Sequence, residues 1–225
     1  TSDIIVVPLD KSLPANELES LIKRSEAEAV IFDKEYIPTF EKLQAEKSSH
    51  LSHFICMDVP PTETNFLCYT DLIEEGKKSL QEGDTTYNSI TIDNQEMAIM
   101  LFTSGTTAIS KAVSLSQANI CADIYALSQM AKVTKEDTFL SFLPLHHTFE
   151  STCTFLYGTY CGITIAFCDG IRYVANNLKE YNITGFVCVP LMLEIMYKKI
   201  VKAIDEQGKT NLVNAMRKIS RVLLK

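Results

Sequence analysis

The sequence predicts an α/β protein in which repeated β-α units form parallel sheets flanked by helices. Three observations predict it. Short apolar runs of strand length alternate with stretches whose apolar residues recur at helical spacing, and this rhythm continues along the whole chain. Prolines and polar clusters punctuate the runs where a strand or helix has to stop. With 225 residues, 46% of them hydrophobic and 22% charged, the chain is long enough to bury the core of one large or two small units of this kind.

In chain order, Ile4-Ile5-Val6-Val7-Pro8 reads as a buried strand. No cap or lead-in precedes it, so residues are expected to be missing upstream. Pro14 and Glu17 start a helix that places Leu18, Leu21 and Ile22 on one face. Residues 29–32 are a strand, 39–47 a helix and 53–57 a strand, and Pro60-Pro61 is a stop. Residues 71–83 form an exposed helix whose Glu74, Glu75, Lys77, Lys78 and Glu82 solvate it. The polar, turn-like stretch 84–93 is the expected linker between a first α/β lobe over 1–83 and a second over 94–225.

In the second lobe the apolar run Met97-Ala98-Ile99-Met100-Leu101-Phe102 reads as a buried strand. Ser116 N-caps a helix running to about residue 133, with Ile120, Ile124, Leu127 and Met130 at helical spacing and the methionine as core filler. Residues 138–144 are a strand, 163–167 a strand and 173–181 a helix. Residues 183–189 are a strand ending at Pro190, which suits the first turn of the amphipathic helix over 191–204. A basic helix over 212–225 follows.

Charge and composition exclude several classes. The net charge is −7 and no basic run is dense enough to track a phosphodiester backbone, which argues against nucleic acid as a partner. No apolar stretch reaches membrane-spanning length; residues 186–193 come nearest and are interrupted by Pro190. The seven cysteines include no C-x-x-C and are odd in number, and most fall in apolar stretches, so they read as small core residues in a reducing, cytoplasmic compartment. His50 and His53 straddle the entry to a strand rather than sharing a helix face, which argues against a metal pair.

Two stretches carry chemistry. In Thr103-Ser104-Gly105-Thr106-Thr107-Ala108-Ile109-Ser110-Lys111, four hydroxyl side chains crowd around one glycine after an apolar strand, and a lysine follows. Hydroxyls and freely oriented backbone N–H groups can ring phosphate oxygens, while the ammonium neutralises charge as a flexible point donor. A P-loop of the G-x-x-x-x-G-K-[ST] type needs a second glycine and a Mg²⁺-binding hydroxyl, but Ser110 and Ala112 stand at those positions. A plain Ser/Thr-rich turn whose hydroxyls cap their own backbone is the bland alternative. The second stretch is Leu143-Pro144-Leu145-His146-His147-Thr148-Phe149-Glu150, two histidines between a strand and a helix, where an α/β sheet presents ligand-binding groups. His147, Glu150 and Cys153 share a helix face but are too few for a metal site, and His146 suits a helix-start capping role as well as a catalytic one.

Together, Thr103-Ser104-Gly105-Thr106-Thr107 with Lys111, Val113-Ser114-Leu115-Ser116 and Asn119, followed by the Leu143–Glu150 block, resemble the adenylate-forming (AMP-binding) superfamily. The likeness is closest to long-chain fatty acid–CoA ligases. Phe186-Val187-Cys188-Val189-Pro190-Leu191-Met192-Leu193-Glu194 is similar to a further block of these ligases, and the resemblance covers nearly the whole chain. Ala108 and Ala112 depart from the family's glycines and Ser110 from a frequent proline. Tyr157-Gly158-Thr159-Tyr160 superficially resembles the family's Y-G-x-T-E element but lacks the glutamate and reads as a buried helix, so the role is not carried over.

The resemblance implies part of the large N-terminal domain of an adenylate-forming enzyme. It further implies an ATP-dependent, AMP-forming ligase that activates a fatty acid as acyl-AMP and passes it to coenzyme A. Thr103, Ser104, Thr106, Thr107 and Lys111 would hold the β- and γ-phosphates and Gly105 would let the backbone approach. His147 would orient the acyl carboxylate, with Glu150 anchoring that histidine or shaping the pocket. Mg²⁺ would bridge the phosphates, its protein ligand outside this chain. The catalytic lysine and the adenine and ribose residues have no counterpart here, so the chain alone is expected to be inactive. An acyl carrier protein in place of coenzyme A, or a non-catalytic nucleotide- or acyl-binding module, are the alternatives.

Overall fold

A computed structural model describes residues 4–58, 65–103 and 110–223. The chain forms two compact units, one from residues 1–134 with 144–162 and one from 135–143 with 163–225.

The first unit begins with helix α1 (Ala15–Ser25), entered from Pro14 with Glu17 in its first turn. Its apolar stripe buries Leu18, Leu21 and Ile22, as their spacing predicts, and Glu26 ends it in the left-handed conformation. Strand β1 (Ala29–Phe32), helix α2 (Ile37–Glu46), strand β2 (His53–Cys56), strand β3 (Leu67–Cys68) and helix α3 (Tyr69–Gln81) follow. The three strands form a sheet in the order β1-β2-β3, with Ala29 to Phe32 in parallel register with His53 to Cys56, and Ile55 and Cys56 beside Leu67 and Cys68. Leu18 and Ile22 of α1 and Phe40 and Leu43 of α2 close one face of it over Phe32, Phe54 and Phe66. The aromatic rings pack with geometry: Phe32 and Phe40 lie 4.3 Å apart, and Phe66 meets Phe32 edge-on at 5.2 Å. The stop expected at Pro60-Pro61 lies outside the described residues.

Residues 84–93 contain one short 3₁₀ turn, Tyr87–Ser89, and lie within the first unit. Beyond them, β4 (Met97–Thr103) and β5 (Lys111–Ser116) pair as an antiparallel hairpin, with register running from Ile99↔Leu115 to Thr103↔Lys111. The run expected to be a buried strand is mostly half-buried, with Leu101 its buried position. A two-stranded ribbon shields little of itself, so burial falls to the residue facing the body of the unit. The opening segment also departs from expectation. Ile4, Ile5 and Val6 are exposed, and only a single parallel bridge forms there: Val6 N donates to Ala98 O and Met100 N donates to Val6 O, both at 2.9 Å. One bridge onto the free edge of β4 gives these apolar side chains backbone pairing without a covering layer.

Helix α4 (Gln117–Met130) starts with a reciprocal capping box: the Ser116 hydroxyl accepts from Asn119 N at 3.3 Å and the Asn119 side chain accepts from Ser116 N at 3.0 Å. Met130, expected in the core, is 83% exposed, because it sits at the last residue of α4 where the helix runs out over solvent. Residues 148–161 form one continuous helical run: α5 (Thr148–Glu150), a π-helical segment (Ser151–Leu156) and α6 (Tyr157–Cys161), ending at Gly162 with φ 69°. Tyr157 is buried as expected, and its hydroxyl donates to Ala131 O at 2.7 Å, tying α6 to the end of α4. Burial and the Cys161 side chain push that phenol up to about 12. Tyr160, in the same expected buried helix, is 65% exposed because it occupies the outward face.

The second unit is a parallel sheet in the order β7-β6-β8, from β6 (Thr138–Ser141), β7 (Thr164–Phe167) and β8 (Gly185–Phe186), with helices α7 (Val174–Glu180), α8 (Pro190–Glu206) and α9 (Thr210–Leu223). Leu140 on the central strand is fully buried. Buried Asn177 of α7 is fully used: its amide donates to Asp169 Oδ2 at 2.7 Å and its carbonyl accepts from Asp169 N at 3.2 Å. The strand expected over 183–189 is shorter. Thr184 turns its hydroxyl to Asp137 Oδ1 at 2.8 Å and accepts from Thr138 N at 3.0 Å, and the chain leaves the sheet before Pro190 opens α8. Of the cysteines, Cys56 and Cys68 are buried, Cys121 is exposed and the others are half-buried, so core placement holds for two. The fold class is α/β with parallel sheets and helices, as the sequence predicts; the hairpin is its antiparallel element.

Candidate functional site

The hairpin brings the two ends of the hydroxyl-rich stretch together. Thr103 closes β4 and Lys111 opens β5, and they are direct cross-strand partners with both side chains exposed. A hydroxyl and an ammonium therefore stand side by side where the connection leaves and re-enters the ribbon. Ser104, Gly105, Thr106, Thr107 and Ala108 lie outside the described residues.

Beside this end of the hairpin, a cleft of about 450 Å³ is lined by Phe102 and Ser110, by Asp10 and Arg24 from the N-terminal segment and α1, and by His146 and His147. Both histidines precede α5. His147 is the N-cap residue, its carbonyl accepting from Ser151 N at 3.0 Å, though its ring makes no capping bond. The two rings lie 4.2 Å apart, tilted by 45°.

The histidine with a described carboxylate partner is His146. Its Nε2 is 3.6 Å from Asp10 Oδ2, a Coulombic contact too long for a hydrogen bond. Asp10 is held by Ser12, whose backbone N and hydroxyl both donate to Oδ1, at 2.8 and 2.7 Å. Those bonds, backbone first, keep the Asp10 carboxyl below its ordinary range. Burial pushes the His146 imidazole below its usual value more than Asp10 pulls it up, so His146 is a neutral imidazole at pH 7. Glu150 is fully buried and accepts from the Thr154 hydroxyl at 3.1 Å, one helical turn on.

Sequence reasoning singled out Thr103, Lys111, His146 and His147, and the fold brings both histidines and the flank of the hairpin to one cleft. It missed Asp10 and Arg24. The only signals were an Asp-x-Ser spacing typical of an Asx turn and a basic residue in the last turn of an amphipathic helix, and neither implies function.

The model of the AMP-binding enzyme family matches residues 1–222. The chain belongs to that family. It is 34% identical over 142 residues to a long-chain-fatty-acid–[acyl-carrier-protein] ligase of Arabidopsis thaliana, covering 61% of this chain and 19% of that one. It is 24% identical over 207 residues to crotonobetaine/carnitine–CoA ligase of Escherichia coli, covering 90% and 39%. Its fold is similar to part of a long-chain-fatty-acid–CoA ligase from Archaeoglobus fulgidus, with a TM-score of 0.69 and 19% identity, covering 87% of this chain and 37% of that one. The chain thus spans about one fifth to two fifths of the length of the curated relatives it matches.

The sequence resemblance is what implies Mg²⁺ alongside the nucleotide. Among the described residues no group of three or more His, Cys, Asp or Glu is placed to hold a metal ion. Of the two carboxylates that line the cleft, Asp10 and Glu17, the first is engaged by Ser12. The described residues therefore form no all-protein metal cage. Among them, too, no helix is long and apolar enough to cross a membrane.

Proposed function

We propose that this AMP-binding enzyme is part of an AMP-forming acid–thiol ligase acting on a fatty acid. A carboxylate oxygen attacks the α-phosphorus of ATP, the bond from the α-phosphorus to the bridging oxygen breaks, and pyrophosphate leaves. The sulfur of an acceptor thiol then attacks the acyl carbon of the acyl-AMP, its proton is lost, and AMP departs. The observation that carries this reading is the cross-strand pairing of Thr103 with Lys111 at the end of the hairpin beside the His146–His147 cleft.

In this reading Thr103, Ser104, Thr106, Thr107 and Lys111 hold the β- and γ-phosphates, and Gly105 lets the backbone approach them. The lysine charge stabilises pyrophosphate as it leaves, an electrostatic contribution that grows as the bond breaks. His147 orients the acyl carboxylate and Glu150 shapes the wall behind it; both act by position rather than by proton transfer. Coenzyme A is the first-choice acceptor. An acyl carrier protein is the second, and the relative named as an acyl-carrier-protein ligase favours it. A cytoplasmic location belongs to the same proposal, supported by the odd count of cysteines without a C-x-x-C.

The test is carboxylate-dependent ATP–pyrophosphate exchange over acids from acetate to palmitate, with the longer reading frame and the 225-residue chain side by side. Exchange by the longer protein, none by the chain alone, and a loss of about a hundredfold or more in Lys111→Ala is the expected result. Absence of exchange with every acid in the longer protein would leave a binding module instead of a ligase.

A further inference from the structure

One side chain reaches from α1 to both strands of the hairpin. Arg24 donates from Nη2 to the carbonyl oxygen of Ser110 at 2.6 Å, and its guanidinium carbon lies 5.2 Å from the centroid of the Phe102 ring. Phe102 is the penultimate residue of β4 and Ser110 immediately precedes β5, so a single group grips the strand that leaves toward the connection and the strand that returns from it. The bond is charge-assisted and short, the kind that is stronger than a neutral pair. Only a planar guanidinium can lie over an aromatic face while directing an edge N–H at a carbonyl; an ammonium gives one or the other.

The fold makes this placement specific. Burial of Leu18, Leu21 and Ile22 fixes the rotation of α1, and Glu26 ends the helix two residues beyond Arg24. Lys23, the neighbouring cation, is already paired with Glu19 at 2.5 Å. Arg24 is thus the basic group of this turn that faces the cleft, which it lines with Phe102, Ser110 and the two histidines.

We propose that Arg24 is a positioning residue that braces the hairpin at its loop end and sets the separation of Thr103 and Lys111 for gripping the phosphates of a nucleotide. The inference rests on the phosphate reading of that hairpin. It adds a residue from a different element, which acts through backbone and ring contacts, not through the motif.

The experiment uses the full-length protein with Arg24→Ala, Arg24→Lys and Lys111→Ala. Two readouts are combined: ATP–pyrophosphate exchange kinetics, and hydrogen exchange across residues 101–103 and 111–113. Arg24→Ala is expected to raise the KM for ATP about tenfold, with kcat changed by no more than about twofold and the KM for the acid unmoved, as for loss of one charge-assisted bond. Backbone exchange at the hairpin end should rise severalfold, and Arg24→Lys should recover part of the loss. An unchanged KM for ATP overturns the proposal. So does an equal loss for both substrates accompanied by a lower unfolding midpoint, which would make Arg24 a general stability residue. If the wild-type protein shows no exchange of pyrophosphate, the ligase reading fails. Hydrogen exchange then judges the brace by itself, and unaltered protection in Arg24→Ala overturns it.

Discussion

His146 shows how much a single residue's setting decides. Its ring is half-buried beside Asp10, and burial holds its pKa below the ordinary 6.5. The unfolded chain therefore binds a proton at His146 more readily than the native protein does. It follows that its contribution to stability is complete above about pH 6.5 and is lost as the pH falls from there toward the folded value. Asp10 runs at a lower range: its depressed carboxyl stabilises the fold above its ordinary 3.8 and ceases to do so only on further acidification. Urea unfolding midpoints measured from about pH 8 to about pH 5 should fall for the wild type, and the fall should be shallower in His146→Asn. Identical slopes would show that His146 is not the residue responsible. His147 carries the motif, whereas its neighbour has the described carboxylate partner; that distinction depends on a contact with a residue far away in sequence.

Among the elements, β6 and β8 depend on a glycine that no motif marks. Gly185 pairs with Phe139, and a Cβ at that position would lie 2.5 Å from the Phe139 ring. Gly185→Ala should therefore force the ring or the strand aside and cost about 1–3 kcal/mol, read as a lower urea midpoint. The same substitution at Gly76, where a Cβ would meet nothing within 4 Å, is the control and should not destabilise. The helices were easier to foresee. The stripe of α1, the Pro190 start of α8 and the Ser116 cap of α4 all lie where spacing and capping chemistry put them. An apolar run overstates strand length where it outlasts its pairing, as in 183–189 against Gly185–Phe186. Hydrophobicity records which side chains avoid water, but strand length is set by where a neighbouring backbone runs out of partners.

At the scale of the whole molecule, large apolar side chains remain exposed on the helices of the second unit. Leu193, Tyr197 and Ile200 of α8 lie one and two turns apart on one face and are each more than half exposed, as are Leu212, Met216 and Ile219 of α9. Apolar surface of that extent attracts other apolar surface. The 225-residue chain should enhance the fluorescence of an anilinonaphthalene sulfonate dye in its folded state, and Tyr197→Ser with Ile200→Ser should reduce that signal. A wild-type chain that leaves the dye dark would show that these side chains are covered in solution.

The sequence by itself determined the α/β class, the helices with a clear stripe or cap, and the residue types of a hydroxyl-rich stretch that ends on a lysine and is followed by paired histidines. These are properties of local spacing, and spacing along a chain is what periodicity and motifs record. Tertiary structure alone decided that Thr103 and Lys111 face each other across an antiparallel hairpin, that Ile4 to Val6 stay exposed, and that Asp10 stands beside His146. It alone set Arg24 against Ser110, 86 residues away. The physical reason is common to all four: each depends on how separately formed elements pack. Packing is fixed by shape and burial across the fold, where no local pattern carries a record of the partner.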